Sequence, residues 1–411
     1  MKEKILFVQF SDELLTPESY MRDYYRVAYS QMPGYHFPQH FMEIPFWIPR
    51  ISGMLDSRYE QEVLVATSLE DTVQQINSGS YGHALFSVMA ANLEQVLHVA
   101  KNTSVNLILG GYTNPNDFRR FAHASYVDMT DLPNFLNVNL EAVPNYELFR
   151  GLSCIPRITL SQGCLFQCTF CTVPTELTTV SEKYIGSQAA SFEPLDFQLI
   201  FVDDKSFGQA GNYKSVERVA EIVRSYNPVF NGFIVQTPPS LAVQPGFLDE
   251  LERLKVKYLE TGVETVNNKL LEGLQRPYRI HHLEKLCNEI RTRGNIKIIP
   301  NLIMGIPRDD YQATIEWVAR NRDIIPVVNV NYFSVHHGAE RGVSLVAYRK
   351  PEDADQNSPN KSWLSTTEKD RMMDAVRQIY SLTAAKPELF RTYQIKTPSK
   401  TSPTHLPLQT P

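Results

Sequence analysis

Short apolar runs alternate with amphipathic stretches along most of this chain. Ile5-Leu6-Phe7-Val8-Gln9-Phe10 reads as a buried strand, and Val63-Leu64-Val65-Ala66-Thr67 as a second, followed by a helical pattern over Leu69 to Asn77. Ala84 to Val88, a helix over Leu93 to Lys101, and Asn106-Leu107-Ile108-Leu109-Gly110-Gly111 continue the series. Strands that are apolar on both faces and alternate with helices predict a parallel sheet. Gly110 and Gly111 end the last of these strands. Without a Cβ they permit close approach of a ligand to the backbone, or simply a tight strand-to-helix turn. The stretch Tyr20 to Arg50, rich in Tyr, Phe, Pro and His, keeps no period and reads as an insertion.

From Asp128 to Glu147 the periodicity fades and Pro133, Asn134, Pro144 and Asn145 appear, which predicts a linker packed between two domains. Strand-like runs then restart near Arg157, Gln198, Gly232, Lys257, Lys297 and Val328. The intervening helices are expected over Ser215 to Ser225, Gly246 to Lys255, Ile280 to Arg293 and Ala313 to Arg320. Such units build either a doubly wound sheet or a barrel, and periodicity does not choose between them. A last helix is expected over Thr366 to Ala384, and a polar Pro/Ser/Thr tail from Thr397 to Pro411 is expected to be disordered. The expected division is residues 1–127, a linker at 128–150, a second domain at 151–345, a helical extension at 346–396 and the tail at 397–411.

Composition narrows the function classes. Apolar residues are 43% and charged residues 21%, a globular balance that excludes a wholly disordered chain. Lys and Arg number 40 against 45 Asp and Glu, a formal net charge of −5, so no basic footprint for nucleic acid is present. No stretch approaches the ~18 consecutive apolar residues of a membrane-spanning helix. The start turns polar by Ser11-Asp12-Glu13, unlike a secretory signal. A cytoplasmic protein without a membrane partner is therefore expected. The five cysteines are odd in number, which argues against a disulfide framework.

Three of those cysteines carry the chemistry. Arg157-Ile158-Thr159-Leu160-Ser161-Gln162-Gly163-Cys164-Leu165-Phe166-Gln167-Cys168-Thr169-Phe170-Cys171 spaces them C-x3-C-x2-C, directly after a strand and a glycine. Coiled on a loop, Cys164, Cys168 and Cys171 bring three thiolates toward one metal centre, a donor set for an iron–sulfur cluster or zinc. The spacing is not a usual zinc spacing, and a structural zinc site needs a fourth ligand such as Cys154 or a histidine. Three thiolates on a four-iron cluster leave one iron open. Cys287 differs, because Ile280, Leu283, Leu286, Cys287 and Ile290 form one apolar helical stripe and read as core. Cys154 is read as structural.

The triad, with Phe170 just before its last cysteine, resembles the signature of the radical S-adenosylmethionine (radical SAM) enzymes. The resemblance implies a partial (β/α)6 barrel, a [4Fe-4S] cluster on Cys164, Cys168 and Cys171, and S-adenosylmethionine (SAM) chelating the open iron. It also implies reductive cleavage of SAM to a 5′-deoxyadenosyl radical, with an electron donor such as flavodoxin or ferredoxin. Leu199-Ile200-Phe201-Val202-Asp203-Asp204-Lys205-Ser206-Phe207 resembles the family's second strand, whose polar end meets the SAM ammonium, so Asp203 or Asp204 is a candidate partner. A solvated acidic strand end is the alternative. Tyr258-Leu259-Glu260-Thr261-Gly262-Val263-Glu264-Thr265 resembles the fourth strand, which makes Glu264 and Thr265 candidates for the SAM ribose or carboxylate. Pro300 to Pro307 resembles the fifth strand and makes Ile303 a candidate contact for adenine, or plain barrel core. In Val335-His336-His337-Gly338 the histidines replace the turn that relatives often carry after the sixth strand.

A Rossmann-like domain ahead of such a barrel resembles the cobalamin-binding branch, where a turn like Gly110-Gly111 lies under the corrin. The fold expected on this basis is α/β: an N-terminal Rossmann-like (B12-binding-like) domain, then the partial barrel and a short C-terminal helical extension. The Asp-x-His-x-x-Gly motif of many cobalamin proteins is absent, as it also is from relatives that still hold the cofactor. The expected reaction is cobalamin-dependent methylation of an unactivated carbon in a small-molecule or peptide substrate. A cobalamin-free cyclisation, rearrangement or dehydrogenation is the alternative, and a non-catalytic iron–sulfur or cobalamin-binding regulator is the alternative of another class. Transfer RNA methylthiolation calls for a second cysteine triad, and no cysteine precedes Cys154.

Overall fold

The computed structural model describes residues 2–10, 14, 45–89, 92–111, 114–152, 154–171, 173–333 and 365–384. Its first sheet contains β1 (Glu3–Phe10), β2 (Tyr59–Ala66), β3 (His83–Val88), β4 (Asn106–Gly111) and β5 (Ala124–Tyr126), in the order β2-β1-β3-β4-β5. Every pairing is parallel. Helices α1 (Trp47–Met54), α2 (Leu69–Ser78) and α3 (Leu93–Asn102) make the crossovers. Part of the stretch expected to be an insertion is thus helical from Trp47 onward. Ser68 starts α2 by accepting the Asp71 amide at 3.2 Å, and Glu70 and Asp71 complement the positive end of the helix. The strand order reverses between β1 and β3, a switch point that opens a crevice at the strands' carboxyl ends.

Alternation along β1 sends its side chains to two cores. Leu6, Val8 and Phe10 pack with Ala84, Phe86, Leu107 and Leu109. Ile5 and Phe7 join a larger core that also holds Tyr146, Phe149, Ile158 and Phe192. The 128–150 stretch is therefore packed: Leu132, Leu136, Tyr146 and Phe149 are buried, and Tyr146 sets its ring edge-on to Phe192 at 5.3 Å. Arg50 ties this stretch to the second half, donating to the Leu140 carbonyl at 2.8 Å and the Tyr184 hydroxyl at 2.7 Å.

The second sheet resolves the choice that periodicity left open. It contains β6 (Arg157–Ile158), β9 (Leu199–Val202), β10 (Gly232–Gln236), β11 (Val256–Glu264), β12 (Lys297–Met304) and β13 (Asn329–Tyr332), in the order β13-β12-β11-β10-β9-β6. All five pairings are parallel, and the sheet curls into an open half-barrel. Between β6 and β9 a short antiparallel pair, β7 (Ser161–Gln162) and β8 (Thr178–Thr179), brackets the cysteines. The covering helices are α4 (Glu182–Ser191), α5 (Tyr213–Tyr226), α6 (Pro239–Ala242), α7 (Phe247–Arg253), α8 (Asn268–Gly273), α9 (Ile280–Arg293) and α10 (Gln312–Asn321). A last helix, α11 (Thr366–Ala384), buries Met372, Val376 and Ile379 in the same core as Trp317 of α10.

Alternate residues of the barrel strands face opposite ways. Ile200, Val202, Val235, Leu259 and Leu302 meet the helices. Leu199, Phe201, Ile234, Tyr258, Ile299 and Val327 form an apolar floor inside the curl. Cys287 lies fully buried in α9 beside Leu283, Leu286 and Ile290, and Cys154 is buried too. Among the described residues no helix is long and apolar enough to cross a membrane. Val335 to Gly338, with His336 and His337, and the Thr397 to Pro411 tail lie outside the described residues.

Candidate functional site

The cysteine loop leaves β7 through Gly163, whose φ of +88° favours glycine. A Cβ there would sit 1.8 Å from the carbonyl oxygen of Glu176, so only glycine lets the two arms of the loop approach. The next residue closes the base, its amide donating to the Pro174 carbonyl at 2.8 Å. The Cys171 amide donates to the Cys168 carbonyl at 3.1 Å and turns the chain back on itself. All three cysteines are free thiols, Cys168 buried and Cys164 and Cys171 half-buried. Burial raises the Cys164 and Cys168 thiols above their ordinary value. The Phe166 amide opposes this at Cys164 and Arg276 opposes it at Cys168, while the nearby Cys171 pushes both further up. Thiols that repel one another when ionised are suited to share a cation.

Among the described residues, no three His, Cys, Asp or Glu side chains gather around a single ion. Three thiols on one short loop are the donor type of a cubane cluster, in which each thiolate takes a different iron. Two buried polar atoms here lack a protein partner among the described residues: the Thr169 hydroxyl inside the loop and the Arg276 Nε–H beside it. A bound polar group or water would meet both valences. The donor set and the unmet polar atoms therefore fit a cluster and a polar ligand bound against it.

The acidic pair after β9 divides as strand alternation requires. Asp204 is buried and turns under the cysteine loop. It accepts the Ser161 amide at 2.8 Å, the Leu160 amide at 3.1 Å and the Asn212 side-chain amide at 2.6 Å. Burial pushes its carboxyl above the ordinary value, and these donors, Asn212 first, pull it back. Asp203 faces the barrel interior, paired with Arg157 at 3.1 Å and Lys205 at 2.8 Å.

Glu264 and Arg276 form the electrostatic centre of the site. Glu264 ends β11 with φ +56°, next to a register irregularity between β11 and β12. The Thr265 amide donates back to the Val263 carbonyl at 2.6 Å, so the chain turns sharply about Glu264. A positive φ at a non-glycine residue is strained, and here it aims a carboxylate into the interior. The Arg276 guanidinium receives it at 3.2 Å. The same guanidinium donates to the Gly262 carbonyl at 2.9 Å and to Cys168 Sγ at 3.2 Å. It lies 5.8 Å from the Phe170 ring centroid and 5.5 Å from that of Tyr278. Burial works against this cation, but Glu264 and then Cys168 hold it protonated, above the usual arginine value. Burial raises the Glu264 carboxyl, and Arg276 counters that rise.

A second link ties this region to the loop, since the Thr169 amide donates to the Leu274 carbonyl at 3.1 Å. Phe170 packs with Leu270, Leu274, Ile303, Ile306 and Phe333. Cys168, Phe170, Glu264 and Ile303, scattered in sequence, thus converge through Arg276 and this apolar patch. Thr265 lies beside the buried Asp309, whose carboxyl is raised by burial and lowered by the Thr265 hydroxyl. Sequence reasoning missed Arg276, Asn212 and Tyr278. Gln275-Arg276-Pro277 follows a short helix and belongs to no periodic pattern, so only the fold reveals that arginine.

Above the apolar floor the barrel interior is polar. Glu260 accepts from the Asn301 side-chain amide at 2.7 Å, and Asn301 accepts from Asn329 at 2.9 Å. Arg157 lays its guanidinium over the Phe201 ring at 4.4 Å. Gly110 and Gly111 lie in the other sheet. Gly111 has φ +112°, and a Cβ there would sit 2.2 Å from the Val88 carbonyl oxygen. Strand packing alone thus requires that glycine, whereas a Cβ at Gly110 would make only an ordinary contact, with Val127 O at 3.7 Å.

Residues 158–318 match the family model described as the Radical SAM superfamily. The ribosomal protein uS12 methylthiotransferase of Aliarcobacter butzleri is 23% identical over 193 residues, 44% of this chain and 43% of that protein. A protein of Archaeoglobus fulgidus named "Probable threonylcarbamoyladenosine tRNA methylthiotransferase" is 23% identical over 195 residues, 44% of this chain and 45% of its own length. The match therefore spans less than half of either relative. Among solved structures, the radical SAM methyltransferase TsrM from Kitasatospora setae, with cobalamin and a [4Fe-4S] cluster bound, is similar with a TM-score of 0.54 and 13% identity. That likeness covers 87% of this chain and 78% of TsrM. The cobalamin-dependent radical enzyme OxsB, with aqua-cobalamin and SAM bound, has a TM-score of 0.50 and 11% identity, covering 80% of this chain and 53% of OxsB. At these identities the likeness is one of fold.

Proposed function

We propose that the chain, whose residues 158–318 match the Radical SAM superfamily model, is a cobalamin-dependent radical SAM methyltransferase acting on an unactivated carbon of a small molecule or peptide. The observation that carries the radical SAM part is the Gly163-anchored loop, which holds three free thiols close together, one of them, Cys168, hydrogen-bonded to the Arg276 guanidinium. The cobalamin part is supported by the parallel sheet ahead of the barrel and by a fold likeness to TsrM that runs over most of the chain.

When bound, the cluster and SAM supply a 5′-deoxyadenosyl radical, and cobalamin supplies a methyl carrier. Cys164, Cys168 and Cys171 hold the cluster. Asp204 fixes the start of their loop through the Leu160 and Ser161 amides. Asp203 is kept as the candidate for the SAM ammonium, with the Arg157 and Lys205 contacts yielding to it. Glu264 and Thr265, at the sharp end of β11, are assigned to the SAM ribose or carboxylate, and Phe170 and Ile303 wall the nucleotide with apolar surface. The Glu260, Asn301 and Asn329 ladder faces the substrate, because half-buried polar groups inside a barrel favour a polar occupant over apolar packing. Gly110 and Gly111 border the cobalamin crevice. An external one-electron donor of the flavodoxin or ferredoxin kind completes the set, in a reducing cytoplasm.

The test is anaerobic reconstitution with iron and sulfide, addition of SAM and a strong reductant, and an assay for 5′-deoxyadenosine. Release supports the reading, and no release from protein with an intact cluster overturns it. A shifted absorption spectrum after incubation with hydroxocobalamin tests the second cofactor. Two relatives are named as methylthiotransferases, but the second cysteine triad that methylthiolation calls for has no counterpart before Cys154, so the expected content is a single cluster of about four irons per chain.

A further inference from the structure

We propose that Arg276 is a positioning residue that sets the reduction potential of the cluster, with Glu264 as its opposing charge. The inference rests on the cluster assigned above, and on four contacts of one side chain. Arg276 donates to Cys168 Sγ at 3.2 Å, donates to the Gly262 carbonyl at 2.9 Å, pairs with Glu264 at 3.2 Å and lies 5.8 Å from the Phe170 ring centroid. Its side chain is 11% exposed and that of Glu264 7%.

A cation in this position has a definite electronic consequence. Reduction adds a negative charge to the cluster. A hydrogen bond to a ligating sulfur, and a positive charge beside it, stabilise the reduced form and raise the potential. Low solvent exposure keeps the effect from being screened. Glu264 acts with the opposite sign, since its carboxylate carries a negative charge beside the same guanidinium and near Cys168. One ion pair therefore carries two levers that move the potential in opposite directions. Both charged ends pack against Gly262, where a Cβ would sit 2.5 Å from Arg276 Nη2 and 2.4 Å from Glu264 Oε1. Gln275, with φ +53°, and the Thr169 to Leu274 hydrogen bond hold the same turn against the cysteine loop.

A purely structural arginine would also be missed on mutation, so the readout has to be electronic. The midpoint potential of reconstituted full-length protein, without SAM, is measured by EPR-monitored titration for wild type, Arg276→Gln, Arg276→Lys and Glu264→Gln, alongside iron content. Arg276→Gln is expected to shift the potential to more negative values. Arg276→Lys, which keeps the charge and loses the planar fork, should fall between it and wild type. Glu264→Gln is expected to shift it to more positive values. Unchanged potentials in variants with wild-type iron, or shifts of the same sign for Arg276→Gln and Glu264→Gln, overturn the proposal. If Arg276→Gln fails to retain a cluster, Arg276→Lys and Glu264→Gln still decide it. Absence of any cluster in the wild type would instead refute the function from which this inference starts.

Discussion

The carboxylate of Asp204 accepts the backbone amide of Ser161 at 2.8 Å, across the gap between two strand ends. With Leu160 and Asn212 as further donors, this aspartate holds the chain just before the cysteine loop, and its negative charge is engaged within the protein. Asp204→Ala leaves three buried donors without their acceptor and is expected to cost roughly 1–3 kcal/mol for each group left unsatisfied. Asp204→Asn retains one acceptor oxygen and should cost less. Thermal unfolding with parallel iron analysis checks this. A substitution to alanine that leaves both Tm and cluster content unchanged would contradict the supporting role.

The cysteines divide by environment. Cys168→Ala is expected to abolish cluster loading, whereas Cys287→Ala should load iron as wild type does and lose only a little core packing. Equal loss of iron in both variants would refute the division.

Thiol reactivity follows the same division. Burial pushes the Cys287 thiol up to about 12, and pushes Cys154 up as well. A raised thiol pKa keeps the neutral form, so at pH 8 the nucleophilic thiolate is scarce at both positions. In cluster-free folded protein, iodoacetamide should therefore modify the half-buried Cys164 and Cys171 and spare Cys154 and Cys287. Mapping the modified peptides by mass spectrometry reads the result directly. Rapid alkylation of Cys287 without unfolding would contradict the burial assigned to it.

Gly163→Ala tests the loop's geometry apart from its chemistry. The added methyl would meet the Glu176 carbonyl, and the positive φ disfavours alanine. Cluster loading should fall although every ligand remains. Gly151→Ala, also at positive φ but with open space around it, is the matched control and should retain iron. Iron retained by both variants would show that the close approach at Gly163 is not needed.

Removing the anion of the central ion pair should be more disruptive than neutralising it. Glu264→Ala leaves Arg276 buried without a counter-charge, expected to cost about 3–5 kcal/mol. Glu264→Gln keeps a hydrogen-bond acceptor and should cost clearly less. Chemical denaturation of the cluster-free protein gives the comparison.

Much of the architecture was legible because it is local. In α9 the spacing of Ile280, Leu283, Leu286, Cys287 and Ile290 predicts both the helix and its buried face, and its observed span is Ile280–Arg293. Strand β4 is likewise bounded as its apolar run suggests, at Asn106–Gly111. Whether the later strands lie flat or curl was not legible, because the same alternation serves both. Curling becomes visible only when Tyr258, Ile299 and Val327 are found on one enclosed floor.

By itself the sequence determined the cysteine spacing, the glycine before it, the strand-and-helix alternation and the separation of Cys287 from the triad. All of these depend on residues close together in the chain. Tertiary structure decided that Asp203 and Asp204 make different contacts, and that Arg276 reaches Cys168 from 108 positions away. The physical reason is that ion pairs and hydrogen bonds act over a few ångströms of space. No periodicity along a chain records which distant side chains a curled sheet will bring within that range.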